Sequence, residues 1–111
     1  MTQKEFIKVL KEEGYSYEIE GDKIIVTHRG HRGNVYLGAL TSLPPGVEFR
    51  NGWYIYLNRL TSLPPGMEFK NGGDVLLRDL IGGYFKDWEG NIKGIKSKRL
   101  LNKMIKDGMF I

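Results

Sequence analysis

The string VYLGALTSLPPGVEFRNG runs from Val35 to Gly52, and IYLNRLTSLPPGMEFKNG runs from Ile55 to Gly72. The phrase from Leu40 to Gly46 returns unchanged as Leu60 to Gly66, at an offset of 20 residues. A fixed period of this size is the signature of stacked repeats, each of which buries its apolar face against its neighbours. Aligned on that offset, the apolar residues fall into columns. Val35, Ile55 and Val75 make one; Leu37, Leu57 and Leu77 the next; then Leu40, Leu60 and Leu80; then Leu43 and Leu63. Each unit begins with a short strand whose first and third residues point inward. The Pro-Pro-Gly triplets turn a corner, with φ set at the prolines and positive φ allowed at Gly46 and Gly66. Val47 with Phe49, and Met67 with Phe69, alternate as a second strand. Asn51-Gly52 and Asn71-Gly72 make the next turn.

Working outward, the stretch 1–33 reads as an N-terminal cap. Thr2 to Glu13 predicts a helix, with a Thr2/Glu5 capping box, an apolar stripe of Phe6, Ile7, Val9 and Leu10, and Gly14 as the stop. Tyr15 to Thr27 predicts a β-hairpin turning at Gly21-Asp22. His28-Arg-Gly-His-Arg-Gly33 reads as a solvated connector. Residues 34–92 carry the repeats. A third unit opens at Asp74 and loses the pattern after Leu80, with Phe85 and Trp88 expected to fill its interior. Residues 93–111 form a basic C-terminal cap. Ser97 to Asp107 predicts a helix with Leu100, Leu101, Met104 and Ile105 as its stripe and Gly108 as its stop, and the last residues tuck back onto the core.

The whole chain of 111 residues is expected to be a single domain, able to bury about 65% of its unfolded surface without staples. It has no cysteine, hence neither a disulfide nor a thiolate metal site. The 15 glycines punctuate apolar segments rather than forming a low-complexity run. No apolar run is long enough to span a membrane, and the polar start lacks a signal-peptide core, so a cytoplasmic protein is expected, with no membrane partner. The net charge of +4 permits nucleic-acid or acidic partners without requiring them.

The Leu-Thr-Ser-Leu-Pro phrase resembles the short bacterial leucine-rich repeat. That family needs a buried asparagine three residues after the strand leucine. Here Leu40 and Leu60 occupy that column, and the repeating Asn51 and Asn71 belong to another turn. The expected fold is therefore mainly β: a short, leucine-rich-like β-solenoid with an N-terminal helix and hairpin and a C-terminal capping helix. The layout also resembles small phage and mobile-element proteins with tandem Thr-Ser-Leu-Pro-x-Gly repeats, which implies host-directed binding.

No nucleophile motif or catalytic constellation is present, so no catalytic residue, cofactor or metal is expected. His28 and His31 stand beside Arg29 and Arg32, which repel cations, and no carboxylate or thiolate completes a ligand set. Ser42 and Ser62 recur, as structural hydroxyls do. Glu48 and Glu68 recur as outward strand residues.

Tyr36 and Tyr56 fall between inward columns, so they are expected to point outward and stack, with Trp53 and Tyr54 in the adjoining turn. Clustered Tyr and Trp on a rigid surface is hot-spot composition. The competing reading is that the hairpin, with Tyr15 and Tyr17, covers this face. Gly38-Ala39, Asn58-Arg59 and Arg78-Asp79 differ in every unit, as exposed columns are free to do. The expected partner site is Tyr36, Tyr56, Trp53, Tyr54, Arg59 and Arg78, and the expected partner is a protein, with a host protein as the specific reading. The alternative is nucleic acid, held by Arg29 and Arg32 together with Lys96, Arg99 and Lys103 of the basic helix. A third reading is self-association through open sheet edges.

Overall fold

The computed structural model describes residues 1–81 and 98–110. The expectations for Phe85, Trp88, Lys96, Ser97 and the turn at Gly90-Asn91 lie outside these residues. Helix α1 (Gln3–Glu13) forms as its ends dictate. Thr2 and Glu5 satisfy each other's backbone N–H groups at 3.1 Å, and Gly14 closes the helix in the left-handed region. The Thr2 backbone and hydroxyl bonds hold the Glu5 carboxyl below its ordinary value. Phe6 and Leu10 are fully buried.

Strands β1 (Tyr17–Glu20) and β2 (Lys23–Val26) make the expected antiparallel hairpin. β3 (Val35–Tyr36), β4 (Val47–Phe49), β5 (Ile55–Tyr56), β6 (Glu68–Phe69) and β7 (Val75–Leu76) follow. They join two separate sheets. One is ordered β1-β2-β4-β6 and the other β3-β5-β7. Apart from the hairpin, every pairing is parallel. Val35 faces Ile55 and Ile55 faces Val75, while Glu48 faces Glu68 and Phe49 faces Phe69. The repeat offset is thus the strand register.

The space between the sheets is the core. Its lining includes the Val35/Ile55/Val75 and Leu37/Leu57/Leu77 columns, Leu43 and Leu63, and Val47, Phe49, Met67 and Phe69. Phe49 and Phe69 stack at 5.3 Å. Leu60 is fully buried, while Leu40 and Leu80 are partly so. Gly46 and Gly66 adopt φ of 79° and 86°, as the corner requires.

The expectation of a mainly β solenoid is overturned. Helix makes up 27% of the structure and strand 21%, and neither sheet is closed or coiled into a solenoid. The physical reason is local. Pro-Pro-Gly and Asn-Gly interrupt each unit so closely that its strands last two or three residues, and most of a unit is turn. The third unit leaves the pattern by winding into α2 (Arg78–Ile81), and α3 (Lys98–Lys106) packs on β6. The result is a mixed α/β fold with two small open sheets.

Two side chains occupy sheet edges. Asn102 of α3 accepts from the Phe69 N–H at 2.8 Å and donates to the Phe69 carbonyl at 3.0 Å, as a neighbouring strand would. At β3, the Tyr36 N–H donates to the Tyr15 hydroxyl at 2.8 Å. Both devices use up pairing groups that an exposed strand offers to other chains. Leu101 and Ile105 bury the inner face of α3, but Leu100, expected in that stripe, is 46% exposed on its flank. Phe110 returns to the core, and its carbonyl accepts from the Leu63 N–H at 2.9 Å. Among the described residues no helix is long and apolar enough to cross a membrane.

Candidate functional site

The parallel register of β3, β5 and β7 places Tyr36, Tyr56 and Leu76 side by side on the outer face of their sheet. The Tyr36 and Tyr56 rings stack at 4.6 Å and 11°. Such contact is worth about 1 kcal/mol beyond area burial. Trp53 and Tyr54 stack at 5.2 Å and 10°, and Tyr54 leans on Tyr56 at 6.2 Å. The four rings form one connected surface. Tyr36 is 52% exposed and Trp53 45%, while Tyr54 and Tyr56 are half-buried. Burial, with the neighbouring Tyr36 and Tyr54, pushes the Tyr56 hydroxyl up from its ordinary value. The hairpin does not cover this face: Tyr15 is spent on the backbone edge of β3, and Tyr17 packs against the core.

The rings are held by the expected turns at Asn51-Gly52 and Asn71-Gly72, whose asparagines point inward. Asn51 and Asn71 are fully or almost fully buried. The Asn51 amide donates to the carbonyls of Gly33 at 2.7 Å, Tyr54 at 3.1 Å and Trp53 at 3.2 Å. Asn71 donates to Gly73 at 2.7 Å and to Trp53 at 3.0 Å. This is an asparagine ladder, located in the turn before the strand instead of the column after it. A repeating asparagine at a fixed place in every unit was the available signal.

A second pair of asparagines ties unit to unit. Tyr54 N–H donates to Asn34 Oδ1 and Arg78 N–H to Asn58 Oδ1, both at 3.1 Å. Glycine is needed beneath the rings. A Cβ on Gly73 would lie 2.2 Å from Tyr54 Cδ1, well inside contact distance.

The arginines divide by position. Arg59 is exposed in the turn after β5, and Arg78 is exposed at the start of α2, its Nε 3.2 Å from Asp79. Both lie at the end of the aromatic strip opposite Trp53, since β3, β5 and β7 run parallel. Arg29 and Arg32 come from the 28–33 loop, which is bonded directly to the turn carrying Trp53. Gly52 N–H donates to the His28 carbonyl at 3.1 Å, and Trp53 N–H to the Gly33 carbonyl at 3.2 Å. Arg32 holds a left-handed φ of 64°, so the loop is tightly wound.

Two further expectations change here. His28 is not a solvated connector residue. It is buried, its ring edge lies on Tyr15 at 4.9 Å, and Ser16 N–H approaches Nδ1 at 3.4 Å. Glu48 stands on the outer face of its sheet as expected, yet it is only 2% exposed. Arg50 and Lys70 close over it, and Lys70 bridges Glu48 and Glu68 at 3.2 Å each. Burial pushes the Glu48 carboxyl up, but the hydrogen bonds and charges of Lys70 and Arg50 outweigh it and hold the group below its ordinary value.

Arg99 and Lys103 are exposed on α3, which packs on β6, whereas the 28–33 loop leaves from β2; β4 lies between these strands. Lys103 and Lys106 border a groove of about 630 Å³ between α3 and the turn at Pro65-Gly66. Of the cations expected to act together on nucleic acid, the described ones are thus split into two groups, Arg29 and Arg32 beside Trp53 and Arg99 and Lys103 on α3. Among the described residues no group of three His, Cys, Asp or Glu is placed to hold a metal ion. Thr61 donates to the Thr41 carbonyl at 3.3 Å, a unit-to-unit bond in keeping with structural hydroxyls in this segment. No family model matches the chain, and neither does any curated protein or solved structure.

Proposed function

We propose that this chain is a non-enzymatic protein-binding module acting in the cytoplasm, and that its interface is the ring surface of Tyr36, Tyr56, Trp53 and Tyr54 with Arg59 and Arg78. The observation that carries the reading is a pair of ring stacks, Tyr36 with Tyr56 on the outer sheet face and Trp53 with Tyr54 in the turn before β5, that leaves Tyr36 and Trp53 half-exposed. Tyr, Trp and Arg are the residues that dominate protein interfaces, because they bring large contact area at low entropic cost. The turn beneath is fixed by buried asparagine bonds, so little ordering remains to be done on binding. The repeat's resemblance to phage and mobile-element proteins makes a host protein, held and inhibited, the specific form of this proposal.

The test is affinity capture from host lysate on the immobilised chain and on the Tyr36→Ala/Trp53→Ala variant. The parent should retain a discrete protein that the variant loses. Removing two hot-spot rings costs about 2 kcal/mol or more each, enough to lower retention by well over tenfold. Equal capture by both, with the variant folded by circular dichroism, would remove the aromatic face from the interface.

A further inference from the structure

We infer that the partner segment docking on the aromatic face is acidic, and that Arg29 and Arg32 belong to the same interface as Arg59 and Arg78. This rests on the reading of that face as a protein interface. Two observations carry it, the placement of unpaired cations at both ends of the strip and the covering of one face of each ring within it.

At one end, the 28–33 loop is bonded to the Trp53 turn, and a Cβ built on Gly52 would sit 3.4 Å from an Arg29 guanidinium nitrogen. Arg29 therefore lies against the residue that precedes Trp53. At the other end stand Arg59 and Arg78. Arg78 is matched by Asp79 at 3.2 Å. Arg29, Arg32 and Arg59 are exposed and form no ion pair among the described residues. Among the described residues, Asp74 is the remaining acid in the turns bordering the strip. The border is therefore cationic at both ends of an apolar centre. Carboxylates flanking an aliphatic or aromatic anchor would match it, and like charges there would be repelled.

Nucleic acid could also meet arginines and aromatics, but it stacks bases on free ring faces. Here the rings face one another in pairs, at 11° for Tyr36 with Tyr56 and 10° for Trp53 with Tyr54. Each ring of a pair thereby has one face covered by its partner, which halves the ring faces left for bases.

The probes are a fluorescent peptide in which aspartates and glutamates flank a central Phe-Leu pair, its copy with lysines in place of the acids, and a single-stranded oligonucleotide. Anisotropy is read on the full chain at low and at physiological salt. The acidic peptide should bind, and its lysine copy should not. Arg29→Glu/Arg59→Glu should weaken the acidic peptide about tenfold, and added salt should do the same to the parent. Both arginines are exposed and without ion pairs, so this variant should melt like the parent.

Equal binding of the two peptides, no binding of the acidic one, or indifference to the charge reversal would overturn the inference. Tighter binding of the oligonucleotide, lost in Trp53→Ala, would overturn it in favour of nucleic acid. If the acidic peptide fails while Tyr36→Ala/Trp53→Ala still abolishes protein capture, the interface stands and only its charge assignment falls.

Discussion

Asn51→Asp tests whether the ring-bearing turn is held as described. The substitution keeps side-chain volume and replaces the donor NH2 with an oxygen. That oxygen then faces the carbonyls of Gly33, Tyr54 and Trp53, which now lie 2.7, 3.1 and 3.2 Å from the amide nitrogen. An amide nitrogen has two protons, so two of these contacts count as full hydrogen bonds. Losing them costs about 1 kcal/mol each. An unpaired carboxylate at a position with no exposed surface adds on the order of 2 kcal/mol more. The total is about 4 kcal/mol, a large part of the roughly 5–15 kcal/mol available to a domain. Asn51→Ala, which leaves a small cavity but no charge, should cost about 2–3 kcal/mol. Urea unfolding followed by circular dichroism reads both as a lowered midpoint at unchanged slope. The Asn51→Asp deficit should shrink as pH falls, because a protonated carboxyl regains one donor. A deficit within about 1 kcal/mol of zero, or one smaller than that of Asn51→Ala at neutral pH, would refute the ladder as the support of Trp53 and Tyr54.

Asn102→Ala removes both bonds to Phe69 and should cost about 1–3 kcal/mol, with new self-association visible by light scattering as the β6 edge opens. Glu48→Gln probes the buried carboxylate. Its folded value lies below the unfolded one, so its stabilisation is present above the ordinary carboxyl range and is lost as pH falls through the lowered value. The variant should therefore show a shallower acid limb in melting temperature against pH, and an unchanged limb would count against the Arg50 and Lys70 pairing. Gly73→Ala should displace the Tyr54 ring that lies 2.2 Å from the added Cβ, lowering stability by about 1–3 kcal/mol. It should also weaken partner capture without removing any interface side chain.

The columns from Val35 to Val75 and from Leu37 to Leu77 were legible because an exact offset survives in the residues that touch across it. The helix ends were legible too, since Thr2, Glu5 and Gly14 act locally. The fold class was not. Periodicity reveals register, but it does not reveal how few residues lie between Pro-Pro-Gly and Asn-Gly, or that Arg78 begins a helical turn instead of another rung. Asn51 and Asn71 are turn residues as expected, but their burial was not legible because it depends on the neighbouring unit's carbonyls. Glu48 was legible as an outward strand residue but not as a buried one, because alternation assigns a face and says nothing of Arg50 and Lys70 closing over it. The stacking of Tyr36 on Tyr56 was legible from alternation and offset together, while the approach of Arg29 to the Trp53 turn depends on loop hydrogen bonds that no pattern announces.

The most direct test of the aromatic face is site-specific photocrosslinking in cells. A photoreactive phenylalanine analogue replaces Tyr36, which is 52% exposed, and in a control chain it replaces the exposed Lys11 on α1. Irradiation should yield a discrete protein adduct from the Tyr36 position and none from Lys11. No adduct at Tyr36, or the same adducts from both positions, would contradict the assignment of this face as the interface.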